Sequence, residues 1–287
     1  LGPTTTETQA RQHLRRCQTS LHRWGSANKV VFDPGKESFH AIHRTRYFGE
    51  EFKILGVLFD TQLTMRSAAH EVAREAGWKT RSLLRCRKFY SQPEMVKLYK
   101  SQVLSFIESR TAALHHAAPS VLDVVDRVQR RFLREIGLTE VEAMLKYRLA
   151  PLPARRDIAM LGLLHRASHG RAPAPLADLL LSGIVHSRDA DAAVTRAGAR
   201  RHARQIPEYL ARGGHTETLR RSAFGLATVW NMLPVRAAGA KTTKACQKSL
   251  QQSLISRALQ APDSDWPHFF QKDARVLPVH VFQRLFV

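Results

Sequence analysis

The stretch Phe52–Asp60, reading Phe-Lys-Ile-Leu-Gly-Val-Leu-Phe-Asp, narrows the possible folds of this chain more than any other. Apolar side chains fall on both alternating faces, which predicts a strand buried on both sides. Gly56 in its middle predicts close approach of another backbone or a ligand. From Met65 onward the apolar period lengthens to that of amphipathic helices and stays there. The chain is therefore predicted to be mainly α with a small β element, and the β element is confined to the first 64 residues.

Upstream of that strand, residues 4–24 predict a helix opened by a Thr4/Glu7 capping box. Ala10, Leu14, Cys17, Leu21 and Trp24 share its apolar face, predicted to pack on a core, and Arg11, Arg15, Arg16, His22 and Arg23 take the solvated side. Asn28–Phe32 and Glu37–His43 are short strand candidates around the turn Asp33-Pro34-Gly35-Lys36, in which proline sets φ and glycine accepts a positive one. Arg44–Glu51 is a polar loop.

Downstream, a helix is predicted from Met65 to about Tyr90. Ala69, Val72, Ala76 and Leu83 line one side; Arg74, Trp78, Arg81, Arg85 and Lys88 line the other. A tryptophan interleaved with four cations suits contact with ribose or bases, or equally a plain charged exterior. Ser91 and Glu94 cap a second helix with Val96, Tyr99, Val103, Phe106 and Leu114 inward. A third spans Ser120–Ile136. Its core stripe is Val121, Val125, Val128, Phe132 and Ile136, and Arg127, Arg130, Arg131 and Arg134 form a stripe roughly opposite. Like charges at that spacing repel by a few tenths of a kcal/mol per pair unless an anion sits among them. Pro151 and Pro153 mark a boundary before a helix at 155–170. Residues 183–221 are rich in Arg, His, Gly and Ala, predicting a basic loop or poorly ordered segment. Ser222–Pro234 is apolar and aromatic again, and Lys241–Leu259 is a last amphipathic helix.

Charge bounds the partners. The 45 Lys and Arg against 24 Asp and Glu leave a formal +21, with a pI near 10.8. A field of that sign favours a polyanion, nucleic acid first and an anionic membrane surface second. Arginine, whose planar fork suits phosphate, supplies 33 of the 45 cations. No apolar run is long enough for a transmembrane helix. Cys17, Cys86 and Cys246 are odd in number and scattered, which fits a reducing compartment rather than a disulfide framework. The chain opens on Leu1, so part of a longer protein is expected.

Catalytic chemistry is sparse. His165 and His169 share a helix face at four-residue spacing, but a zinc-protease pattern needs Glu at 166, where Arg stands, and a third ligand. Neither His40/His43 nor His115/His116 makes a metal set, so no metal site is expected. No Gly-rich phosphate loop or nucleophile elbow is present, and no close Asp pair of the kind two-metal polymerases need.

Seven motifs in order resemble the C-terminal part of the reverse transcriptase of non-LTR retrotransposons (long interspersed elements). Leu14…Leu21-His-Arg-Trp24 is similar to the palm helix after the family's catalytic Tyr-Ala-Asp-Asp loop. Asn28-Lys-Val-Val-Phe32 leading to Lys36-Glu-Ser38 is similar to its Lys-Thr or Lys-Ser motif, and Phe52-Lys-Ile-Leu55-Gly56-Val57 with Asp60 to its Leu-Gly-Val strand. Leu98-Tyr99-Lys-Ser101 through Glu108 resembles the second thumb helix, and Asp126-Arg127-Val-Gln-Arg130-Arg131-Phe-Leu-Arg134 the Val-Gln-Arg-Arg-Phe-Leu-Arg helix. Leu152…Arg155-Arg156 through His169-Gly170 resembles a post-thumb helix, and Trp230-Asn231-Met-Leu233-Pro234 the terminal Trp-Asn-x-Leu-Pro segment.

The resemblance implies the remnant of an α+β palm (1–64), a helical thumb (65–150), a post-thumb helix (151–182), the basic segment (183–221) and a helical C-terminal region (222–287). It implies Lys36 as candidate general acid, protonating the leaving pyrophosphate, and Leu55 and Gly56 as positioning the primer. RNA template and RNA–DNA duplex are the implied partners, with the upstream fingers and palm of the same polypeptide. The implied setting is an intracellular ribonucleoprotein of nucleus or cytoplasm. The fragment itself needs no cofactor; magnesium is implied for the full polymerase. The catalytic aspartates would lie before Leu1, so the chain alone is expected not to polymerise.

Overall fold

The computed structural model describes residues 7–33, 35, 37–40, 42, 50–181, 202–208, 217–271 and 279–286. They fall into two compact units, Leu1–Thr64 and Met65–Val287.

In the first unit, helix α1 spans Glu7–Ala27. Its proposed capping Thr4 lies outside the described residues. Its end is closed by a backbone motif: Lys29 takes a left-handed φ of 58°, and the Val30 amide reaches back to the Gly25 carbonyl at 2.8 Å. Gly25 is buried because the chain then folds over it; a Cβ there would meet the Phe32 ring at 2.5 Å and the Val30 oxygen at 2.9 Å. Phe32 stacks on His22 with centroids 5.3 Å apart, and Glu37 bonds to His22 and Gln18.

These contacts correct the sequence expectation of a hairpin. The described residues of 28–43 contain no strand, because the amides of Asn28, Lys29 and Val30 are taken up in closing α1. The Asp33 side chain accepts from the Gly35 amide at 3.0 Å; Pro34 and Lys36 of the predicted turn lie outside the described residues. The expected burial of the apolar face of α1 is also corrected: Leu21 and Trp24 are each more than half exposed, at 57% and 56%.

Phe52–Asp60 is not one buried strand. It is a hairpin, β1 (Phe52–Ile54) antiparallel to β2 (Val57–Phe59), with Phe52 opposite Phe59 and Ile54 opposite Val57. Leu55 and Gly56 form the turn with φ of 49° and 79°, the two positive values that a two-residue type I′ connection requires. Nothing lies within 4 Å of where a Gly56 Cβ would be, so the glycine is there for its φ and not for a close approach.

The second unit is helical. Helix α2 spans Arg66–Arg85 with Ala68, Ala69, Val72, Ala76, Thr80 and Leu83 buried. After the 3-10 turn Arg87–Phe89, helix α3 (Gln92–Tyr99) begins at a Ser91/Glu94 capping box. The predicted single helix then breaks into a π-helical stretch, Lys100–Leu104, and the short helices α4 (Ser105–Glu108) and α5 (Thr111–Leu114). Helix α6 (Pro119–Glu135) starts with proline in its first turn, where the missing amide costs nothing. Its core face carries Leu122, Val125, Gln129, Phe132 and Leu133, and it packs along α2. Tyr99 stacks on Phe132 at 4.1 Å, both fully buried.

After α7 (Glu140–Tyr147), helix α8 (Leu152–Ser168) runs through the core of the second half. It packs against α9 (Thr243–Gln260), which the Thr242 side chain caps at 3.1 Å to the Ala245 amide. Leu161, Leu164, Trp230, Leu250, Leu254, Phe269 and Phe282 belong to a single apolar cluster there. Trp230 sits at its hub, on the short helix Ala227–Met232. Residues 202–208 clip onto that helix. The indole Nε1 donates to the Arg204 carbonyl at 2.7 Å, and Asn231 exchanges two bonds with Ile206 at 2.8 and 2.9 Å. That part of the basic segment is thus ordered by backbone pairing to Asn231; 183–201 and 209–216 lie outside the described residues.

Two histidines flank Trp230 edge-on, His202 at 5.4 Å and His165 at 6.0 Å. His202 donates from Nε2 to the Trp230 carbonyl and accepts the Arg204 amide at Nδ1, so it is bound as the neutral ring. Burial holds the pKa of both rings below the ordinary value of 6.5. As pH falls past about 6.5 the unfolded chain takes up protons that the folded one refuses, so stability is lost from there down to the lowered folded values. The melting temperature is expected to fall between about pH 7.5 and 5.5, and His202→Gln to flatten that slope. A wild-type melting temperature constant across that window would refute it.

Candidate nucleic-acid interface

The helical period of α2 places Arg74, Trp78, Arg81 and Arg85 on its outer side, about 180° from Val72, Ala76 and Leu83. All four are exposed, and Lys88 follows in the 3-10 turn, also exposed. Helix α6 brings Arg131 alongside. Arg81, Arg85, Arg87, Lys88 and Arg131 line one shallow, open cleft of about 420 Å³, with Leu84 and a single carboxylate, Glu135. Glu135 is engaged by Arg87 at 2.7 Å. Arg81, Arg85, Lys88 and Arg131 have no carboxylate partner among the described residues. Tertiary packing has therefore set Arg131 of the α6 stripe beside Arg85, 46 residues earlier in the chain, while Arg74, Trp78, Arg127, Arg130 and Arg134 do not line the cleft.

The α6 stripe itself is not uniform. Asp123 pairs with Arg127 at 3.3 Å and also with Arg130. Arg131 and Arg134 are left as the exposed, unneutralised members. The repulsion anticipated among four arginines is thus partly relieved inside the helix, by the Asp123 carboxylate. Asp123 stands four residues before Arg127 and seven before Arg130, so the pairing was legible at helical spacing. Such exposed pairs are worth only about 0–1 kcal/mol, and a phosphate can replace the carboxylate.

Of the other sites, Leu55 and Gly56 lie at the hairpin tip, Leu55 fully exposed. Lys36, the candidate general acid, lies outside the described residues. His165 and His169 stack at 4.0 Å, but His165 Nε2 donates to the Ala240 carbonyl and His169 Nδ1 to the His165 carbonyl. Among the described residues no three His, Cys, Asp or Glu side chains converge as a metal site.

A buried polar network behind α6 escaped sequence reasoning. Arg156 donates to both oxygens of Asp126, at 2.6 and 2.9 Å. Next to Arg156 in the chain, Asp157 accepts from His115 at 3.1 Å and from Gln271 at 2.9 Å. Gln129 Nε2 donates to the Ala150 carbonyl at 2.9 Å. These bonds tie α6 and α5 to the start of α8. Their partners are separated by 21 to 114 residues, and no local pattern announces them.

Comparison with known proteins gives no match, whether to a family model, a curated protein or a solved structure. No helix among the described residues is long and apolar enough to cross a membrane.

Proposed function

We propose that this chain is the C-terminal part of a non-LTR retrotransposon reverse transcriptase: the end of the palm, the thumb and the region beyond it. Its contribution is to hold template–primer through phosphate contacts, as part of an intracellular ribonucleoprotein. The observation that carries this reading is the cleft where four unneutralised cations of α2, the 3-10 turn and α6 converge. The order of the seven motifs supports it. So does the first unit, whose apolar Leu21, Trp24, Val31 and Leu55 are left exposed, as suits a piece whose packing partner is the upstream palm of the same polypeptide. In this reading Leu55 and Gly56 face the primer, Lys36 serves the missing aspartates, and magnesium belongs to the complete polymerase.

The test is the salt dependence of binding to an RNA–DNA hybrid. Six phosphate contacts give a slope of log K against log salt of about −5. Replacing Arg81, Arg85 and Arg131 by alanine is expected to bring that slope about three units closer to zero. Salt-independent binding, or none, would sink the reading. A second reading, a nucleic-acid-binding protein without polymerase activity, is favoured by the lack of two adjacent aspartates in the sequence. An in-frame Tyr-Ala-Asp-Asp shortly upstream in the coding sequence selects the first reading, and a start codon there the second.

A further inference from the structure

We infer that the cleft between the end of α2, the 3-10 turn Arg87–Phe89 and the end of α6 takes a single-stranded polynucleotide. Phosphates sit in the cleft, and unpaired bases stack on the aromatic side chains beside it. This rests on the nucleic-acid reading above and narrows it, because template–primer duplex alone does not account for the aromatic groups.

Three exposed aromatic residues border the cations. Trp78 is 61% exposed, on the same face of α2 as Arg81 and Arg85 and one and two turns before them. Phe89 is 84% exposed and directly follows Lys88, and Tyr90, next in the chain, is also exposed. In sequence the order is Trp78, Arg81, Arg85, Arg87, Lys88, Phe89, Tyr90, so the aromatic groups flank the cleft-lining cations along the chain without themselves lining the cleft. An exposed phenylalanine gains nothing from water, and none of these three rings stacks on another ring among the described residues.

In a duplex the base faces are already stacked on each other, so protruding rings find only sugar and phosphate. A single strand offers free π-faces, and alternation of cations with aromatic platforms is the chemistry that grips it without regard to sequence. The charge is also arranged for an occupant. Arg81, Arg85, Lys88 and Arg131 converge on one concavity with only Glu135 opposing, and Arg87 already occupies that carboxylate. The carbonyl ends of α2 and α6 lie at this cleft and offset part of the repulsion among the cations, which lets the site stand empty without unfolding.

The experiment uses the full chain and fluorescence anisotropy with short oligo(U), oligo(dT) and a blunt RNA–DNA hybrid of the same length. The quantity read is the ratio of single-strand to hybrid affinity. Trp78→Ala and Phe89→Ala are each expected to lower that ratio about 5- to 150-fold, the loss of one stacked base. Arg85→Ala is expected to weaken strands and hybrid together and leave the ratio unchanged. Both aromatic side chains are mostly exposed, so circular dichroism should show the variants folded. Loss of the ratio with either oligo(U) or oligo(dT) supports the inference, since both carry the same two groups. If strands and hybrid bind but neither aromatic substitution moves the ratio, the inference fails and the nucleic-acid reading stands. If wild-type binds neither, that reading fails and the inference with it.

Discussion

Trp230→Ala is expected to lower the stability of the second unit by about 3–5 kcal/mol, the range for deleting a large aromatic side chain from a core. The indole is fully buried in the cluster built by α8, α9 and the C-terminal segments. Its removal leaves a cavity ringed by elements already held in place by other contacts, so the site cannot collapse fully to refill it. The effect does not end with volume. Nε1 anchors the Arg204 carbonyl, and the rings of His202 and His165 meet the indole edge-on. Residues 202–208 thus lose one of their attachments, keeping the Asn231 bonds and the His202 bond to the backbone carbonyl at 230. Against a total of about 5–15 kcal/mol such a loss is severe. Urea denaturation followed by circular dichroism measures it. Trp230→Phe, which keeps most of the volume but drops the N–H, should fall clearly between wild-type and alanine. A loss under about 1.5 kcal/mol for alanine would show that the indole is not the hub.

The second large effect is expected at Asp126. Its carboxylate meets the Arg156 guanidinium through two parallel bonds, with side-chain exposures of only 14% and 10%. Asp126→Ala strands a desolvated guanidinium and should cost about 3–5 kcal/mol. Removing both charges is a different matter. Replacing the pair by apolar residues of similar volume, Asp126→Leu with Arg156→Met, is expected to recover most of the loss, because the folded state no longer carries an unpaired buried charge. A double-mutant cycle separates the two costs. Equal destabilisation by the single and the double substitution would overturn this account. The same pair fixes α6 against α8, so Asp126→Ala should also loosen the helix that presents Arg131 to the cleft.

Helices α2, α3, α6 and α8 of the second unit were legible because each carries its own signal. The Ser91/Glu94 box starts α3, and the alternation of Ala69, Val72, Ala76 and Leu83 with Arg74, Trp78, Arg81 and Arg85 orients α2. The first unit was misread where two local explanations compete. Asn28–Phe32 has strand composition, but the same amides close α1, and a helix end satisfied within five residues prevails over a ladder that needs a distant partner. In Phe52–Asp60 glycine at the centre of an apolar run marks a turn between two short strands, and alternation alone cannot tell that from one longer strand.

The sequence by itself determined that the chain is mainly helical, strongly basic, and striped with arginine on the outer faces of two helices, because helical period and charge are properties of neighbours. It also carried the pairing of Asp123 with Arg127 and Arg130, set by spacing along one helix. Tertiary structure alone decided that Arg81, Arg85, Lys88 and Arg131 share one cleft. It alone decided that Asp126 meets Arg156 and Asp157 meets His115 and Gln271, and that Trp230 is a hub. The reason is physical. A cation's exposure follows from its own helix, but its convergence with another depends on which ridges of α2 and α6 interlock, and that is fixed by the packing of Tyr99, Phe132 and their neighbours.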